Sequence, residues 1–68
     1  MNYLNGIQEL LSQERYTEAL ETIYRGLKIN SGNYELYFLL AQVKELCGAY
    51  KQAQLSYENA VFFSSDED

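Results

Sequence analysis

The sequence has no histidine, no proline, no tryptophan and one cysteine, Cys47, among its 68 residues. Without histidine, neither a Ser-His-Asp nor a Cys-His nucleophile arrangement can be built, and the commonest metal ligand is missing. We therefore expect a non-enzymatic chain with no catalytic residues, no metal site and no cofactor. A single cysteine cannot form an internal disulfide, so we expect Cys47 to be a small, half-buried apolar filler.

Long apolar runs and clusters of basic residues are also missing. No segment approaches the roughly 20 apolar residues that a membrane span needs, and no basic N-terminal stretch precedes an apolar one as in a secretory leader. The five basic residues are scattered and the formal charge is −5, so we expect no surface that holds a phosphate backbone. These features predict a cytoplasmic protein that binds neither nucleic acid nor membranes.

What the sequence does contain is a correspondence between its two halves at an offset of 34 residues. Identical residues at this offset are Tyr3 and Tyr37, Gln8 and Gln42, Tyr16 and Tyr50, and Ala19 and Ala53. A fixed period of this length indicates a helical repeat array, in which each unit buries apolar surface against its neighbours. We predict an all-α domain at 1–65, with repeat one at about 1–33 and repeat two at about 34–65, and an acidic disordered tail at 66–68.

Apolar residues recur at helical spacing in four segments. The predicted helices run from about Tyr3 to Ser12, from Tyr16 to Ile29, from Tyr34 to Cys47, and from Ala49 or Tyr50 to Phe62 or Phe63. The third segment is apolar over most of its circumference, which is typical of a helix that packs on more than one side. Gly48 and the turn at 30–33 are expected to end helices, with asparagine or serine capping the next one.

The second half resembles a tetratricopeptide repeat. That motif combines spaced aromatic residues with small residues at close helix contacts, and the matching positions here are Tyr37, Leu40, Ala41, Gly48, Tyr50, Ala53, Tyr57 and Ala60. The first half matches less closely, since Gly6 and Ile7 stand where the family has leucine and then a small residue. We interpret the chain as two tetratricopeptide-type helix-turn-helix repeats, which form a fragment of a right-handed α-solenoid. We expect the small Gly26 to lie opposite Ile7 and to compensate for its bulk.

The resemblance implies a non-catalytic protein–protein interaction or scaffold module, whose inner helices line a concave face for a peptide or partner surface. The matching positions, our candidate partner-binding residues, are Leu4, Gln8, Leu11, Glu35, Phe38, Gln42, Glu45 and Leu46. Because none of them is positively charged, we expect an apolar peptide with a polar or basic rim rather than a clamped terminal carboxylate. A competing interpretation is that their apolar members face a neighbouring repeat or a second chain.

A second function is implied by a weaker similarity. Segments 33–38 and 56–60 resemble helical repeats at the start of some bacterial glycosyltransferases, which suggests an N-terminal oligomerisation or positioning module of a larger enzyme. At the C-terminal end, Val61, Phe62 and Phe63 precede an acidic tail too short to fold back over them. An open apolar patch marks an interaction site, so we predict homo-oligomerisation through Phe62 and Phe63.

Overall fold

The computed structural model describes residues 3–65, and all regular structure within this range is helical. The helices are α1 (Tyr3–Ser12), α2 (Tyr16–Ile29), α3 (Tyr34–Leu46) and α4 (Tyr50–Ser65). The prediction of an all-α chain is confirmed, and α1 and α2 begin and end at the predicted residues. The fourth helix continues to Ser65 rather than ending at Phe62 or Phe63. The predicted tail at 66–68 lies outside the described residues.

The helices pack against one another in chain order. α1 contacts α2, α2 contacts α3 and α3 contacts α4, while α1 also touches α3. The main core joins the first three helices and consists of Ile7, Ala19, Ile23, Leu36, Leu39, Leu40 and Val43. Among the described helices α4 packs on α3 alone, and its buried residues are all small: Ala53, Ser56 and Ala60. Small side chains allow two helix axes to approach closely.

The turn after α1 and the turn after α3 have the same hydrogen bonds. The N–H groups of Glu14 and Arg15 donate to the carbonyls of Leu11 and Leu10 at 3.0 and 2.9 Å, and those of Gly48 and Ala49 donate to Glu45 and Lys44 at 3.0 and 2.8 Å. This pair of bonds is a Schellman motif, which requires a residue with positive φ. Glu14 has φ 58° and Gly48 has φ 83°. Each position lies 34 residues from its counterpart, so the sequence offset recurs as a repeated turn conformation.

The start of α3 is set by the turn that precedes it. The side-chain Oδ1 of Asn33 accepts hydrogen bonds from the N–H groups of Glu35 at 3.0 Å and Leu36 at 3.3 Å. These donors have no partner within the helix, and an asparagine cap satisfies them. The prediction that asparagine or serine in the 30–33 turn caps the third helix is confirmed for Asn33.

Two expectations about single residues need correction. Cys47 is exposed rather than half-buried, because it follows the last turn of α3 where the chain reverses direction. Gly26 makes room for Leu36 rather than for Ile7. The three heavy atoms nearest to a Cβ built at Gly26 all belong to Leu36, and the closest, Cδ1, lies at 2.9 Å. None of the described helices has both the length and the apolar character to cross a membrane.

Candidate functional site

α1 and α3 share a shallow depression on one side of the molecule, which we call the concave face. It has a volume of about 280 Å³ and is lined by Leu4, Gln8, Glu35, Phe38, Leu39 and Gln42. Residues spaced by three, four and seven positions lie on one face of a helix, so the two helices each present one stripe here. Five candidate partner-binding residues therefore meet in one place. Leu39 was not among them, although the same spacing from Glu35 and Gln42 would have found it.

The other three candidate residues lie elsewhere. Leu11 is partly buried and packs against the main core. Glu45 faces α4, where its Oε1 accepts a hydrogen bond from the Tyr57 hydroxyl at 2.7 Å. Leu46 is exposed at the end of α3. None of the three lines the concave face.

Phe38 gives the concave face its apolar character. Phe38 is 40% exposed. Its ring makes edge-to-face contacts with Tyr34 and Tyr57, each at a centroid distance of 6.2 Å. Such contacts between aromatic rings hold Phe38 in a defined orientation. The amides of Gln8 and Gln42 can each donate and accept hydrogen bonds, and Glu35 supplies a negative charge. The surface thus suits an apolar side chain flanked by polar or basic groups.

A larger depression of about 550 Å³ lies along α4, next to the C-terminal end of α3, and we call it the α3–α4 groove. Its lining residues are Glu45, Tyr50, Ala53, Gln54, Tyr57, Glu58 and Val61. The hydrogen bond from Tyr57 to Glu45 raises the pKa of the Tyr57 phenol, because ionisation would remove the donated proton and leave a phenolate beside a carboxylate. Partial burial of Tyr57 raises its pKa further.

Phe62 and Phe63, the predicted self-association residues, have different surroundings. The ring of Phe63 stacks on Tyr37 with a centroid distance of 5.3 Å and an interplanar angle of 12°, and it lies beside Gly32 in the turn between α2 and α3. Phe62 is 61% exposed and contacts the Phe63 ring edge-to-face at 5.1 Å. The outer apolar surface at this end of α4 therefore belongs to Phe62.

The charged residues of α2 lie on its solvent-exposed side. Arg15, just before the helix, forms a two-pronged pair with Glu18 in which both N···O distances are 2.6 Å. Glu21 and Arg25 are also exposed. Within residues 3–65, no cluster of three or more histidine, cysteine, aspartate or glutamate side chains is placed to hold a metal ion.

No protein-family model matches this chain, and neither a curated protein nor a solved structure matches it. The resemblance to tetratricopeptide repeats therefore rests on the residues of the sequence.

Proposed function

We propose that this protein is a non-catalytic interaction module of two tetratricopeptide-type repeats, arranged as a fragment of a right-handed α-solenoid. The recurrence of one turn conformation after α1 and after α3 supports the repeat assignment. The module binds a peptide or a partner surface through the concave face. The observation that carries this proposal is the meeting of Leu4 and Gln8 with Phe38 and Gln42 in one depression.

The chemistry of the concave face defines the ligand. An apolar side chain of the ligand packs on Leu4 and Phe38, and the amides of Gln8 and Gln42 pair with polar groups beside it. Because Glu35 carries the charge at this depression, a basic residue in the ligand is favoured over an acidic one. The exposed free thiol of Cys47 fits a protein of the reducing cytoplasm.

A peptide-display selection on the whole chain tests this function. The enriched peptides are titrated into ¹⁵N-labelled protein, and the amide shifts are mapped by NMR. We expect apolar peptides with basic flanks, and shifts centred on Gln8, Phe38 and Gln42. Gln42→Lys should weaken binding at least fivefold because it places a like charge beside a basic ligand. Gln52→Lys is the matched control, since Gln52 is also exposed but lies on α4. Equal effects of the two variants would contradict the proposal.

A second candidate function is an oligomerisation or positioning module of a larger bacterial enzyme, such as a glycosyltransferase. The observation that favours it is the exposure of Leu55 and Phe62 on α4, outside the concave face. An oligomerisation module needs apolar surface of this kind. Its test is the association state of the chain, described below for Phe62.

A further inference from the structure

The residues of the α3–α4 groove correspond, at the offset of 34, to the surface of α1 and α2 on which α3 packs. Subtracting 34 from the groove's lining residues gives positions that are almost all in the core. Six of them belong to the main core or pack directly against it: Leu11, Tyr16, Ala19, Leu20, Ile23 and Leu27. The groove is therefore the second copy of a helix-docking surface whose first copy is occupied.

The helix that occupies the first copy shows what such a surface accepts. α3 packs on α2 and α1, and its residues in the main core are Leu36, Leu39, Leu40 and Val43. They follow the i, i+3, i+4, i+7 spacing of one helical face. Leu36 lies against Gly26, where even one added methyl group would come within 2.9 Å of Leu36 Cδ1. The docking element is thus an amphipathic helix with a continuous aliphatic stripe.

The second copy of this surface is more polar than the first. Glu45 stands where Leu11 does in the first repeat, and Gln54 stands where Leu20 does. Tyr57 and Val61 keep the floor apolar, and Val61 is 59% exposed. Glu45 and Glu58 place two acidic groups at the groove. A surface of this composition suits a helix that binds from solution and carries basic residues beside its apolar stripe.

A second copy of the chain does not supply that helix. The positions of α1 that correspond to Leu39, Leu40 and Val43 are Asn5, Gly6 and Glu9, so α1 has no aliphatic stripe on the corresponding face. Head-to-tail stacking of copies would therefore place polar residues in the groove. Docking groove against groove would bring Glu45 and Glu58 of both copies together, in a protein that already has a formal charge of −5.

We propose that the α3–α4 groove docks an amphipathic helix of a partner protein. This helix carries leucine or valine at i, i+3, i+4 and i+7, with lysine or arginine at the edges of the stripe. The site shares no lining residue with the concave face, so the two surfaces can be tested separately.

The probe is a synthetic, fluorescein-labelled helical peptide spanning residues 33–47. It keeps Leu36, Leu39, Leu40 and Val43 and carries alanine and lysine at its other positions. We expect saturable binding to the whole chain by fluorescence anisotropy. The control peptide has Leu36→Gln and Leu40→Gln, which preserve its charge, and should bind at least tenfold more weakly. Equal affinities of the two peptides would show general charge attraction and overturn the proposal.

Two protein variants locate the binding surface. Val61→Gln should weaken peptide binding at least fivefold, because Val61 lies in the groove. Leu55→Gln should change it less than twofold, since Leu55 is equally exposed, at 60%, but lies on another face of α4. Circular dichroism of both variants checks that the fold is intact. Equal weakening by the two variants would overturn the proposal.

Two further measurements separate this site from the alternatives. Gln42 does not line the α3–α4 groove, so Gln42→Lys should leave binding of the helical peptide unchanged. This result does not depend on whether the concave face binds a ligand. Sedimentation equilibrium of the unmodified chain and of Val61→Gln tests a second copy as the occupant. A dimer that Val61→Gln converts to monomer, in a chain that does not bind the peptide, would overturn the partner-helix proposal.

Discussion

Glu14 and Gly48 hold the same position in two copies of one turn, but only one of them is suited to it. Both adopt positive φ, a conformation that costs a residue with a Cβ atom about 1–2 kcal/mol. Glycine is the usual residue at this position of a Schellman motif because it avoids that cost. The first turn of the chain is therefore strained at Glu14, whereas the second turn is not strained at Gly48.

Glu14→Gly should raise the free energy of unfolding by about 0.5–1 kcal/mol, because it removes the left-handed strain at some cost in unfolded-state entropy. Gly48→Ala should lower it by about 1 kcal/mol through the reverse effect. Urea denaturation followed by circular dichroism measures both. Glu14→Ala is the control, as alanine keeps the Cβ atom and so the strain. A loss of stability in Glu14→Gly would mean that the glutamate side chain contributes more than its backbone strain costs.

Tyr57 and Glu45 form the hydrogen bond that links α3 to α4 at the groove. The pKa of Tyr57 is raised in the folded protein, so the folded state holds the phenolic proton more tightly than the unfolded state does. The resulting stabilisation is complete below the unfolded-state pKa of about 10. It is lost as the pH rises through the higher folded-state pKa.

Glu45→Gln should lower the pKa of Tyr57 toward its ordinary value, because the amide accepts a weaker hydrogen bond from the phenol and carries no negative charge to oppose the phenolate. NMR titration of ¹³C-labelled tyrosine, read at Tyr57, gives the midpoint directly. Glu58→Gln is the control, because Glu58 lines the same groove but does not contribute to the pKa shift of Tyr57. If both variants move the midpoint equally, the shift comes from the general charge of the groove and not from this bond.

At the scale of the elements, α3 is the helix on which the others depend. Its aliphatic stripe packs in the main core with α1 and α2, while Tyr37 and Phe38 contact aromatic rings of α4. Its apolar residues therefore cover most of the circumference, as expected for a helix with neighbours on several sides. The contact of α2 with α3 is close because Gly26 presents no side chain to Leu36.

Gly26→Ala and Gly6→Ala should change stability in opposite directions. In a helix, alanine is about 0.8–1.0 kcal/mol better than glycine, and Gly6 is exposed with no atom within 4 Å of an added Cβ. Gly6→Ala should therefore stabilise by about that amount. At Gly26 the added methyl group meets buried Leu36, and overpacking costs about 1–3 kcal/mol.

We expect a net loss of about 1 kcal/mol for Gly26→Ala, measured by urea denaturation. Leu36→Val provides the double-mutant test, because a shorter side chain at position 36 should make Gly26→Ala less harmful. Stabilisation by Gly26→Ala in the unaltered background would show that Leu36 moves aside at little cost.

At the scale of the whole molecule, the two halves of the chain are unequally covered. α1 and α2 both pack against α3, whereas α4 contacts α3 alone among the described helices and keeps Leu55, Val61 and Phe62 exposed. The aromatic pair at the end of α4 is divided between two roles. Phe63 stacks on Tyr37 within the molecule, so the open apolar surface that favours self-association is centred on Phe62.

Phe62→Ser should shift the chain toward monomer at high concentration with little change in stability, because exposed positions usually contribute within about 0.5 kcal/mol. Phe63→Ser should instead lower the free energy of unfolding by about 1–3 kcal/mol through loss of the stacked ring. Sedimentation equilibrium and urea denaturation measure the two effects. A chain that is monomeric at millimolar concentration would contradict self-association, and equal loss of stability in both variants would contradict the different roles of the rings.

The sequence by itself determined the helices and the turns between them. Apolar spacing sets the helical segments, Gly48 ends α3 and Asn33 caps its start, and these are local effects of backbone conformation and nearby hydrogen bonds. It was also predictable that Leu4 and Gln8 share one face of α1 and that Glu35, Phe38 and Gln42 share one face of α3, because residues three, four or seven positions apart lie on one side of a helix.

The tertiary structure decided which faces meet. Glu45 and Phe38 are seven residues apart in α3, yet Glu45 lines the α3–α4 groove while Phe38 lines the concave face. Neither the contact of Leu36 with Gly26 nor the stacking of Phe63 on Tyr37 follows from spacing along the chain. These contacts depend on the crossing angle and separation of helices, which result from the packing of all the side chains between them.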